Sequence, residues 1–275
     1  MTIFDSMRLF IKFLGIIIFV FYIFNYASIS RCYAAHPLVS DDTGTQGKGK
    51  FLFEFNGQLS RDKADSLNDT GVNETTKKKE HEVKAAVTGG ISDDVDVILS
   101  VPYQWKKTEI NSAIESDING IADISLEVKW RFFERDGLGL AFKPGITLPT
   151  GDKDKDIGTG RATGALFFIA TKEMTPWAFH LNLGYKRNEN RLDQEEDIWH
   201  ASLAGELKVI QGLKLVANIG TERNTDKSSQ TNPTFILGGF IYSLKENLDV
   251  DLGVKVGLNE TEKDYSFLGG IALRF

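Results

Sequence analysis

The chain has 275 residues, 41% of them apolar and 25% charged, a balance that excludes a disordered tail protein and a polytopic helical membrane protein. Its 32 basic side chains against 38 acidic ones offer no clustered basic surface for a phosphate backbone, so nucleic acid is excluded as a partner. With 26 Gly and 19 Phe beside 6 Pro and a single Cys, the composition suits many strands joined by turns, and the expected class is all-β.

Arg8 and Lys12 precede an apolar run over residues 13–24, and Cys32 and Ala34 stand three and one before a cut ahead of Ala35, the pattern of an export signal. Residues 13–30 carry no charge and are just long enough to span a bilayer, so an uncleaved anchor is the competing reading. Arg31, where a small residue would be needed before Cys32, argues against lipidation. The expected organisation is a signal peptide over 1–34, a periplasmic N-terminal segment over 35–50 and a barrel over 51–275. The leader carries Arg8, Lys12 and Arg31 against Asp5, a net +2, so its removal takes the formal charge from -6 to -8. It also takes the only cysteine, leaving sheet closure rather than disulfides as the source of stability.

From residue 51 the chain alternates. Phe51, Phe53, Phe55, Gly57 and Leu59 fall on one face, and Leu52, Glu54, Asn56, Gln58 and Ser60 on the other, the period of a strand. The same period predicts strands over 83–91, 95–105, 124–132, 138–148, 177–185, 199–209, 213–219, 248–256 and 265–275. Residues 161–171 and 231–244 are apolar on both faces and read as two more strands of undetermined phase, twelve in all. Long polar connections (61–79, 106–119, 151–160, 187–197, 223–230, 259–264) alternate with short ones (92–94, 133–137, 172–175, 210–212, 245–247). That asymmetry belongs to transmembrane up-and-down antiparallel β-barrels, with short periplasmic turns and longer external loops.

In the ten strands of clear phase the apolar face holds no charge, while the other face holds nine acidic and nine basic residues. A Lys or Arg against lipid costs about 2 to 4 kcal/mol near mid-membrane, so a bilayer would enforce this pattern. A soluble barrel turned the other way would leave an apolar bore wider than side chains fill. The candidate lumen-lining residues are Glu54, Lys84, Asp96, Glu127, Lys129, Arg131, Lys143, His180, Glu206, Lys208, Asp249, Asp251, Lys255 and Arg274. Trp105 and Trp199 stand at strand ends beside long loops, and Trp130 and Trp177 beside short turns, as membrane-interface aromatics do. Phe275 ends an alternating strand, which resembles the terminal signal read by the barrel-assembly machinery.

Catalysis and metals find little support. His36, His81, His180 and His200 lack Cys or Glu partners at ligand spacing. His180 and Asn182 share a face, but no serine completes a phospholipase-like triad. Asp152, Asp154, Asp156 and Gly158 evoke a calcium loop, yet Gly158 falls one residue late and Thr163 stands where a Glu should close it. No catalytic residue, metal or cofactor is expected.

The segments HPLVSDDTGTQGKGKFLFE from His36 to Glu54, VPY at Val101, NGIAD ending at Asp123, LPTGD ending at Asp152, GTGR from Gly158, and Gly184–Tyr185 occur in one order along the chain. In this it resembles the bacterial outer-membrane family labelled MetA pathway of phenol degradation. The resemblance implies a β-barrel in the outer membrane of a Gram-negative cell, connected with uptake of aromatic compounds. The expectation is a passive channel for small solutes, embedded in outer-membrane lipid. Balanced interior charges would form cross-strand ion pairs, and residues 37–50 would act as a periplasmic plug or strap. The alternative is a closed barrel serving as a structural or surface-interaction module, working through the first loop with Lys77, Lys78 and Lys79.

Overall fold

The computed structural model describes residues 36–67 and 73–275; the leader lies outside them. Thirteen strands form one antiparallel sheet: β1 Phe51–Leu67, β2 Asn73–Gly90, β3 Val95–Ile110, β4 Ala113–Ile121, β5 Ile124–Arg135, β6 Leu138–Leu148, β7 Thr163–Met174, β8 Trp177–Arg187, β9 Asp197–Ile210, β10 Leu213–Glu222, β11 Thr234–Lys245, β12 Leu248–Gly257 and β13 Tyr265–Arg274. Each pairs with its chain neighbour, except that β4 and β5 do not pair with each other, and β1 pairs with β13, so the sheet closes. The lower half of β3 pairs with β5 and its upper half with β4, so β4 and β5 share one place in the wall and the barrel is twelve-stranded. Closure is completed at the chain end, where the amides of Phe51 and Phe275 each donate to the other's carbonyl.

Two expected loops are instead ladder. β1 and β2 remain paired as far as Leu67 opposite Asn73, and β3 and β4 meet at a tight turn on Asn111 and Ser112, both at positive φ. These stretches stand above the apolar band, where water wets both faces. They show no hydrophobic alternation, yet the backbone ladder continues. At the other end the turns are short, as at Asp136–Gly137, where both residues take the positive φ of a hairpin turn.

The two strands of undetermined phase acquire one. In β11, Ile236, Phe240 and Tyr242 face outward, while Phe235, Leu237 and Ile241 are buried inside. The inner apolar patch, with Val216 and Leu268, packs around Leu38 of the segment before β1. In β7, Leu166 faces out while Ile169 and Thr171 are buried inward. Both faces are apolar where the bore holds protein rather than water. Elsewhere the outer surface is a continuous band of exposed Phe, Leu, Ile and Val, the reverse of a water-soluble barrel.

Candidate functional site

Residues 36–50 lie inside the barrel and run round its inner wall as a strap, meeting the strands in reverse order. His36 Nδ1 lies 2.6 Å from the Asp251 carboxylate on β12. The amides of Val39 and Ser40 donate to Asn218 Oδ1 on β10, at 2.8 and 3.0 Å, and the Ser40 hydroxyl donates to Ser202 on β9. Asp41 and Asn182 on β8 exchange two 2.8 Å hydrogen bonds, the Asp41 amide to Oδ1 and Nδ2 to the Asp41 carbonyl. The Thr43 amide donates to Thr171 on β7, and the Gln46 amide to the Asp96 carboxylate on β3. The strap leaves through Gly49, whose amide donates to the Gly90 carbonyl.

The inner wall is shaped for this path. A Cβ on Gly139 would fall 2.2 Å from Thr43 Oγ1, and one on Gly90 would fall 2.0 Å from the Gly47 carbonyl oxygen. At Gly90 the missing side chain lets the two backbones approach, and at Gly139 it makes room for the Thr43 side chain.

Charge completes the attachment. Lys129 on β5 and Lys143 on β6 reach opposite oxygens of the Asp41 carboxylate, at 2.7 and 2.9 Å. Burial alone would raise the Asp41 pKa, but the two ammonium groups outweigh it and hold the carboxyl well below its usual range. Lys143 also lies 3.7 Å from Glu127. The expected cross-strand pairing is therefore partly replaced by pairing to the strap, since a buried carboxylate between two lysines is the stronger partner. Wall-to-wall pairs do occur, Lys214–Glu206 at 3.1 Å and Arg274–Asp249 at 2.7 Å.

The remaining predicted residues take varied places. Glu54 and Lys84 are half-buried on β1 and β2 and make no ion pair among the described residues. His180 is fully buried beneath the strap, 3.0 Å from Thr171 Oγ1 and 3.8 Å from Glu206. Arg131 sits at the short-turn rim on Asp94, Lys208 beside Pro176 at the same rim, and Lys255 toward the long loops on Glu262 and over the Phe235 ring. Trp130 and Trp177 are exposed at the short-turn end of the outer face, Trp105 and Trp199 toward the other end. The Phe275 ring meets Phe53 edge-on at 5.5 Å.

Between the strap and the wall of β1, β2, β3 and β5 lies a cavity of about 180 Å³, bordered by Glu54, Lys84, Asp96, Glu127, Lys129 and Asp41. The sequence pattern did not mark Ser40, Asp42, Thr43, Asn182, Ser202 or Asn218 as a set. Uncharged inward Asn, Ser and Thr at matching depth on successive strands are the signal that could have found them.

Three of the quoted motifs converge on Asp123, in the break between β4 and β5. Its carboxylate accepts from the Gly151 amide at 2.9 Å, and from the Thr159 amide and hydroxyl at 2.8 Å each. Asp123 thereby folds the β6–β7 loop, which places Ile157 against Gly120 on the inner side of the β3–β4 ribbon. The carboxylates of that loop serve a single 3-10 turn, Lys153–Lys155, capped by Asp152. Among the described residues no His, Cys, Asp or Glu group is arranged to hold a metal.

Among solved structures, the COG4313 outer membrane channel from Pseudomonas putida F1 is similar, with a TM-score of 0.67 at 14% identity over 85% of this chain and 98% of that one. The NanC porin is similar with a TM-score of 0.51 at 9% identity, over 80% and 98%. At such identities the likeness is one of fold. No curated protein matches the chain by sequence. The family described as "Putative MetA-pathway of phenol degradation" matches residues 41–275, from the strap's Asp41 to the terminal Phe275, and the chain belongs to it.

Proposed function

We propose that this barrel lies in the outer membrane of a Gram-negative bacterium and passes small solutes passively, with the strap narrowing the bore. The observation that carries the reading is the strap itself. It is bound edgewise to the inner wall and leaves beside it a cavity of about 180 Å³, close to the roughly 150 Å³ that houses one benzene ring in a protein interior. The lining is charged, so the path is aqueous, and an aromatic ring bearing a hydroxyl or carboxylate suits it better than a bare hydrocarbon. The family's name in phenol degradation agrees with that class. The short turns and the C-terminal end face the periplasm, the side from which residues 36–50 would enter the barrel, and Phe275 would be the signal for barrel assembly.

Planar-bilayer conductance tests the reading. The intact barrel gives small steps, and removal of residues 37–46 enlarges them several-fold. In proteoliposomes phenol or benzoate enters faster than through protein-free vesicles. A correctly folded strap-deleted barrel that stays silent would overturn the channel and favour the closed structural module.

A further inference from the structure

The ribbon of β1 to β4 above the aromatic level carries a Lys run that the channel does not use. Strand alternation turns Lys77 and Lys79 outward and Lys78 inward. On the outer side Arg61 on β1 lies opposite Lys79 on β2, and Lys79 lies opposite Lys107 on β3. Three cations thus sit on three neighbouring strands, spaced by about 4.8 Å. One step above, Lys63 lies opposite Lys77.

Like charges directly opposite one another destabilise a sheet, and the local carboxylates offset these only in part: Asp117 on β4 lies opposite Lys107 and ends the row. Glu109 is shared, 2.9 Å from Lys107 Nζ and 3.5 Å from Lys79 Nζ, while Asp65 holds Lys63 at 2.8 Å. Arg61 and Lys77 are exposed and make no ion pair among the described residues. Trp105 lies one outward position toward the barrel from Lys107, its ring 4.5 Å from that of Tyr103, and Tyr265 on β13 lies opposite Arg61. The cations therefore begin where the interfacial aromatics end, at the depth of lipid head groups.

We propose that Arg61, Lys79 and Lys107 bind the phosphate groups of a phosphorylated glycolipid in the outer leaflet. A row of one guanidinium and two ammoniums suits a saccharide head carrying phosphates, and binding lowers the like-charge repulsion within the row. The inference rests on the outer-membrane reading of the barrel and not on its being open.

The test uses the full barrel folded in zwitterionic detergent and titrated with bisphosphorylated lipid A, dephosphorylated lipid A or inorganic phosphate, read by native mass spectrometry and thermal shift. The triple variant R61S/K79S/K107S weakens binding of bisphosphorylated lipid A about a hundred-fold, and Lys78→Ser, inward on the same ribbon, leaves it unchanged. Glu109→Gln releases two ammoniums and tightens binding, a gain that loss of fold cannot produce. Unchanged binding by a folded triple variant, equal binding of the dephosphorylated lipid, or equal protection by inorganic phosphate overturns the proposal. A barrel that folds and stays soluble without detergent would instead remove the membrane reading, so the two failures are distinguishable.

Discussion

Asp41 is the residue on which the strap's electrostatics converge, because it answers two lysines from adjacent strands. Asp41→Asn leaves Lys129 and Lys143 without their main counter-charge inside the bore, and loosening of the strap by about 1 to 3 kcal/mol is expected. Larger and noisier conductance steps report it. The depressed Asp41 pKa fixes the sign of a pH effect. Pairing is complete above the ordinary carboxylate pKa and is lost as pH falls toward the folded-state value, so the wild-type strap loosens on acidification below about pH 4. The Asn variant loses that part of the acid response, which paired conductance titrations would detect. Lys84 is the complementary case, a cavity lysine with no ion pair among the described residues. Lys84→Glu changes the local charge by two beside Glu54 and shifts reversal potentials toward cation preference; an unchanged potential would place the solute path elsewhere. The charged inward residues were legible as a strand face from alternation alone. Their partner in Asp41 was not, because residues 36–50 have no period and reveal their position only through contacts far along the chain.

At the scale of elements, the strap and the wall are matched by shape as well as charge. Gly139 faces Thr43 with no room for a side chain, although its place in β6 demands nothing unusual of its backbone. Gly139→Val therefore expels the strap from that stretch while keeping a residue type that strands favour. The expected outcome is faster proteolytic cleavage within residues 36–50 and raised conductance, with the heat-modifiable mobility of the folded barrel retained. A variant that keeps the strap protected would show that Thr43 yields instead. The elements themselves were legible wherever lipid meets one face and water or polar strap the other. They were not legible in the β3–β4 hairpin, where Lys106, Lys107, Thr108 and Glu109 run polar on both sides, nor in the phase of β11, whose inner Phe235, Leu237 and Ile241 pack on Leu38. In both places the surroundings of a strand face departed from the simple division between hydrocarbon and water.

At the scale of the whole molecule, the outer band makes the sharpest demand. On β8 the outward positions run Trp177, Phe179, Leu181, Leu183 and Tyr185, all exposed. Eight residue steps separate Trp177 from Tyr185, and at about 3.4 Å per residue with a tilt near 40° they span about 20 Å, close to the apolar height of an outer-membrane barrel. Leu181 is midway, so Leu181→Arg sets a guanidinium at the membrane centre and costs about 2 to 4 kcal/mol. Ile210, also exposed but at the short-turn rim of β9, accepts Arg for about 0 to 1 kcal/mol because its head group reaches water. Reversible unfolding in phospholipid vesicles measures both. A depth-dependent difference is peculiar to lipid, since an apolar face covered by another protein would penalise Arg by burial in the contact and not by distance from the aromatic ends. Equal costs at the two sites would mean that hydrocarbon does not surround this barrel, and the channel, the strap's role within it and the glycolipid site would all lose their setting.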